Sequence, residues 1–145
     1  MKRKWFLAIG VVIIIFFSVK HFNDFREKDL DDVIHYDISN VESFSINGLT
    51  GEYEWRTDQK AHAEEFKDFL SNYRVKRMKD HEWDSDVSKE DGFTLTIYSK
   101  DKEIPIEASI YEKRVLFYNE GEYYQVVNDR IDVDWIRNYS KENKL

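Results

Sequence analysis

Phe93-Thr94-Leu95-Thr96-Ile97-Tyr98 and, five residues later, Ile104-Pro105-Ile106-Glu107-Ala108-Ser109-Ile110-Tyr111 decide how this chain folds. In both runs aliphatic residues alternate with hydroxyl, acidic or aromatic ones. A period of two describes a strand with one buried face, and two such runs in close succession predict antiparallel pairing. Pro105 has no N–H to give to a ladder, so the second strand is predicted to lie at an edge or to be interrupted there. Downstream, Val115–Tyr118 and Tyr123–Val127 flank Asn119-Glu120-Gly121-Glu122, a short turn with a glycine free to take positive φ. The four segments read as a meander.

Upstream the same logic gives a hairpin. Glu42–Ile46 and Glu52–Arg56 alternate on either side of Asn47-Gly48-Leu49-Thr50-Gly51, which is turn chemistry. From Asp58 to Asn72 the period changes: Ala63, Phe66, Phe69, Leu70 and Tyr73 recur at helical spacing, with Thr57 or Asp58 able to cap. Arg74–Met78 is a further short strand, and residues 80–92 have the length and polarity of an exposed loop. The chain closes on a second, short helix, with Asp132 as N-cap, Ile131 and Ile136 as a hydrophobic staple, and Trp135, Ile136 and Tyr139 to dock it. Helices set apart from a run of antiparallel strands indicate the α+β class, with one sheet face covered.

The N-terminus is of another kind. Trp5–Val19 is apolar except for Gly10 and Ser18, and Lys2, Arg3 and Lys4 precede it. No pair of small residues stands where a signal peptidase would cut, so residues 1–22 are expected to remain as an uncleaved membrane helix. The 15-residue run is about 22 Å long, against a hydrocarbon core of about 30 Å, a gap that Lys4 and Lys20 close by snorkelling. Three basic residues on a very short tail place that tail in the cytoplasm and the rest of the chain outside. Residues 23–32 read as a charged stalk, and residues 33–145 as one extracytoplasmic α+β domain, small but rich in aromatic residues.

Charge and composition narrow the function. Of the 145 residues, 22 are Lys or Arg and 29 are Asp or Glu; the first 22 hold four of the basic residues and no acid. A +4 leader therefore precedes a −11 domain, which lacks the basic face that nucleic acid requires. With no Cys there is no disulfide framework, thiolate nucleophile or lipidated cysteine. No phosphate loop, dinucleotide fingerprint, nucleophile elbow or zincin pair occurs.

Two candidate sites remain. Asp80, Glu82, Asp84 and Asp86 alternate through the long loop, and carboxylates so spaced suit Ca²⁺, the one cofactor worth considering. The EF-hand pattern fails, however, because it needs Gly and Glu at its sixth and twelfth positions. Counting from Asp80 these are Ser85 and Asp91; counting from Asp84 they are Lys89 and Leu95. A merely solvated loop is the competing reading. The second candidate is a tyrosine-bearing sheet face: Tyr98 and Tyr111 stand opposite the aliphatic residues of their strands, and with Tyr118 they offer rigid contact area to a peptide or glycan. The basic run Arg74, Lys76, Arg77, Lys79 is expected to be divided between two faces and balanced by nearby acids.

The Asn47–Gly51 hairpin, the Asp58-led helix ending in Phe69-Leu70, the strand Phe93–Tyr98, the Gly121–Val127 turn-strand and the Ile131-Asp132 helix together resemble an uncharacterised family of small membrane-anchored or lipoprotein-type extracytoplasmic domains of Gram-positive bacteria. The resemblance implies location and architecture, with no reaction to transfer. The expectation is a non-enzymatic module, held to the membrane by its N-terminal helix and contacting another envelope or membrane protein. The alternative is a small envelope hydrolase, or an inhibitor of one, dependent on a divalent cation.

Overall fold

The computed structural model describes residues 2–84 and 90–143. Helix α1 (Lys2–Phe25) projects from the rest and meets it at Phe25, whose ring lies 5.9 Å from the Arg77 guanidinium; its Trp5–Phe25 portion is long and apolar enough to cross a bilayer, and its apolar stretch is not buried against the chain. After it come β1 (Lys28–Asp29), α2 (Leu30–Ile34), a single 3-10 turn (Ile38–Asn40), β2 (Val41–Gly48), β3 (Glu54–Thr57), α3 (Lys60–Ser71) and β4 (Arg74–Arg77). The chain continues through a 3-10 turn at Asp80–Glu82, then β5 (Gly92–Ser99), β6 (Ile106–Tyr111), β7 (Arg114–Phe117), β8 (Glu122–Val126) and α4 (Val133–Glu142).

All eight strands join one antiparallel sheet in the order β1-β4-β8-β7-β6-β5-β2-β3. The meander β5-β6-β7-β8 forms its middle. Alternation on each strand then becomes continuous rows across the sheet. On one face Phe117, Ala108, Leu95, Ile46 and Trp55 lie side by side, as do Tyr124, Val115, Ile110, Phe93 and Gly48. Helices α2, α3 and α4 cover this face. Phe66 of α3 meets Phe44 edge-on at 4.8 Å and Phe93 at 6.2 Å, and Ile136 of α4 is fully buried. The Trp55 indole N–H donates to the Asn143 carbonyl at 3.0 Å, tying the end of α4 to the β3 edge.

Local chemistry explains the boundaries. Pro105 lies just outside β6, which starts at Ile106; the break leaves Ile104 exposed, so the run from Ile104 to Tyr111 is shorter as a strand than its alternation predicts. Gly121 takes the positive φ that its turn requires, at 62°. The α3 N-cap is Gln59, one residue beyond Asp58, and its backbone N–H donates to Thr57 Oγ1 at 3.1 Å. Asp132 caps α4 as read, accepting from the Trp135 N–H at 2.9 Å.

Residues 23–32 do not form a free stalk. Helix α1 runs on to Phe25, Lys28 and Asp29 pair with Val75 and Arg74, and Leu30 is wholly buried beside Ile34. The packed domain therefore begins at Lys28, five residues earlier than the charge pattern indicates. Leu30 secures it together with Ile34, an i,i+4 pair set among charges.

Candidate functional site

The face of the sheet away from the helices carries polar rows. Tyr123, Leu116, Ser109, Thr94, Asn47 and Glu54 form one row; Glu107, Thr96, Ser45 and Arg56 form the next, and Tyr98 pairs with Ser43 beyond them. Among the described residues no helix lies over this surface. Its centre is built from small hydroxyl side chains, several of them buried by taller neighbours: Ser43, Thr96 and Ser109 are each at most 9% exposed.

Two of the three candidate tyrosines stand at the surface. Tyr98 is 39% exposed, with the Arg56 guanidinium 5.3 Å from its ring centre, and Arg56 Nη2 donates to Ser43 Oγ at 3.0 Å. Tyr118 is 52% exposed, with its hydroxyl 2.7 Å from Ser109 Oγ. Tyr111 is different: only 7% is exposed, so it is a covered residue and not a contact residue. Its cover comes from the long loop, where Trp83 stacks on Tyr123 at 4.7 Å and stands 6.4 Å from Tyr111. Burial pushes the Tyr111 phenol above its ordinary pKa, with the neighbouring Tyr118 adding to the effect.

Trp83 is the residue that sequence reasoning missed. Arg114 holds it in place, its guanidinium lying 5.2 Å from the indole, donating to the Asp84 carbonyl at 2.8 Å and pairing with Glu90. The loop's one aromatic residue, placed among acids, was the available signal.

The described part of the acidic loop gathers no ligand set. Asp80, Glu82 and Asp84 are exposed, and the Glu82 carboxylate is turned back to accept from the Lys79 N–H at 2.7 Å. Asp86 lies outside the described residues. Among the described residues no group of three or more His, Asp or Glu side chains comes together to hold a metal.

The basic run is shared out in part. Arg74 pairs with Glu27 at 3.1 Å and Arg77 with Glu122 at 2.8 Å. Lys76, on the open face, has no ion pair among the described residues and lines a cavity of about 480 Å³ together with Arg77, Lys113, Arg114, Glu82 and Glu90.

One chain of titratable groups occurs between α3 and α4. The Tyr139 hydroxyl donates to the Glu65 carboxylate and lies 2.5 Å from His62 Nδ1, and Trp55 packs edge-on against both rings. Burial, then the Glu65 hydrogen bond, raises the Tyr139 pKa. A phenol so held is a poor proton donor to anything else, and the chain serves to fasten the two helices together. No family model, no curated protein and no solved structure matches the chain.

Proposed function

We propose that this chain is a single-pass, non-enzymatic binding protein. Helix α1 anchors it, with the basic N-terminal tail in the cytoplasm and residues 28–143 outside, and the polar sheet face contacts another envelope protein, in keeping with the Gram-positive anchored domains it resembles. The observation that carries the reading is the asymmetry of the sheet: three helices cover one face, whereas the other presents Tyr98 and Tyr118 above a floor of hydroxyls. Exposed tyrosines bring large contact area at low entropic cost, and a polar floor keeps such a face soluble when unoccupied. The −11 charge of the residues after Phe22 favours a neutral or basic partner and opposes an anionic one.

The test is to crosslink the tagged full-length protein in its native membrane and compare it with the Tyr98→Ala and Tyr118→Ala variants. The reading expects a discrete partner whose recovery falls at least several-fold in both, with thermal unfolding unchanged. Equal recovery with both variants would refute the sheet face as the contact surface. A reporter fused after Leu145 that works only in the cytoplasm would refute the orientation.

A further inference from the structure

We propose that β3 is a self-association edge: it pairs antiparallel with β3 of a second copy of this chain, Glu54 of each standing opposite Arg56 of the other, so that two sheets become one. Strand β3 ends the sheet, at the opposite side from β1, which follows α1. The Gly48 N–H donates to the Tyr53 carbonyl at 2.9 Å, so these two are a hydrogen-bonded pair; by alternation Ile46 with Trp55 and Phe44 with Thr57 are too. The main-chain groups of Tyr53, Trp55 and Thr57 therefore face β2, whereas those of Glu54 and Arg56 face outward. Among the described residues no strand takes the outer side of β3. Two N–H and two C=O groups are left as a template for one more strand.

The occupant is a second copy because this edge complements itself. An antiparallel partner must offer its own outward groups, and in a second copy these are again Glu54 and Arg56. Setting Glu54 against Arg56 of the other copy makes both crossings hydrogen-bonded, with Trp55 opposite Trp55 on the two-fold axis as the non-hydrogen-bonded pair between them. Residues opposed in such a crossing lie about 5.5 Å apart at Cα, which brings a carboxylate and a guanidinium together at each. Sliding by one residue loses the hydrogen bonds, and sliding by two sets Glu54 against Glu54 or Arg56 against Arg56, so parity and charge select one register. Both side chains are exposed, and Arg56 spends one N–H on Ser43 Oγ at 3.0 Å and keeps the others for a carboxylate. The −11 charge of each domain opposes association, but it is spread over the surface and screened beyond about 8 Å at physiological salt, whereas the two pairs are in contact. The axis stands perpendicular to the sheet. Both open faces therefore look the same way, and the tyrosine-bearing surfaces of two copies become one.

The chain has no cysteine, so a Thr50→Cys substitution in the β2–β3 turn takes one fluorophore per copy. Full-length protein in detergent, at physiological ionic strength, is labelled with donor or acceptor, and energy transfer between copies is followed over a dilution series. The parent should show transfer that falls away on dilution. Glu54→Arg sets Arg against Arg at both crossings and Arg56→Glu sets Glu against Glu, so each alone should self-associate at least roughly ten-fold more weakly. Mixing the two variants makes both crossings opposite in charge again and should restore the transfer. Where a reversal lowers the melting temperature, Glu54→Lys and Arg56→Asp repeat the scheme. No transfer in the parent would overturn the proposal. Transfer that persists in either variant alone would overturn it too, by marking association through another surface such as α1, and a mixture as weak as its components would overturn the register. Tyr118→Ala leaves β3 untouched and should keep the transfer while losing the envelope partner, so the two readings fail separately; loss of transfer in Tyr118→Ala would move the association to the open face and overturn the edge.

Discussion

Gly92→Ala probes the centre of the sheet, because a Cβ built there meets the Ile110 carbonyl oxygen at 2.5 Å, Leu49 Cδ1 at 2.9 Å and Tyr111 Cα at 3.2 Å. Carbon–oxygen contacts across a sheet run at about 3.3–3.6 Å, so the oxygen must retreat by nearly an ångström. That oxygen belongs to β6, whose Ile110 is paired with Phe93 on one side and Val115 on the other, so it cannot move without disturbing two ladders. Overpacking costs about 1–3 kcal/mol, and backbone as the obstacle puts this case at the top of the range, about 3 kcal/mol. Gly48→Ala is the natural comparison. There the nearest atoms belong to the Tyr53 ring, at 2.8 Å, and a ring can tilt, so the expected cost is about 1 kcal/mol. Urea unfolding of the full-length protein in detergent, followed by near-ultraviolet circular dichroism, measures both, and the melting point of Gly92→Ala should fall by roughly 10–20 °C. A Gly92→Ala protein within about 0.5 kcal/mol of the parent, or a costlier Gly48→Ala, would refute the assigned β5–β6 register.

Leu30→Ala should cost about 2–4 kcal/mol in the same assay, because Leu30 is wholly buried; a negligible effect would return residues 28–32 to a free stalk. Arg114→Ala strips the cation from the largely covered Glu90 and should cost about 1–2 kcal/mol, whereas Arg74→Ala breaks a pair about half exposed on both sides and should cost less than about 0.5 kcal/mol; equal effects would contradict the burial of the first pair. Burial pushes the Tyr53 phenol up from 10.0 to about 12, so the folded state holds that proton more tightly than the unfolded chain does. Its contribution is complete below pH 10 and is lost as the pH rises through about 12, and Tyr53→Phe should flatten the decline of melting temperature between those values. Parallel declines in the two proteins would refute that assignment.

The middle of the fold was legible because Phe93, Leu95 and Ile97 repeat at a strict period of two, and α3 because Phe66, Phe69 and Leu70 repeat at another. Elements that lean on distant partners were not. β1 is two residues, Lys28 and Asp29, with no pattern of their own, and it exists because Arg74 and Val75 offer it an edge. Helix α2 left a fainter trace in the i,i+4 pair Leu30 and Ile34, easily lost among charges.

The candidate site was legible in part for the same reason. Alternation alone put Tyr98 and Tyr111 on the open face, but alternation says nothing about what a loop lays over a strand, and Trp83 covers Tyr111 while leaving Tyr98 bare. Nor does local sequence reveal that β4 pairs with β8. Only that register puts Lys76, Gln125 and Arg114 in one row.

The central claim is that a membrane-anchored domain makes its contact through the open sheet face and not through its helical layer. Its most direct test is a photo-crosslinking amino acid placed in the full-length protein, in its native membrane, at Tyr98 or Tyr118 on the one surface and at Glu64 or Asn138 on the other, all four exposed or partly exposed. The account predicts a discrete adduct from positions 98 and 118 and none from 64 and 138. Adducts from 64 or 138, with 98 and 118 silent, would contradict it.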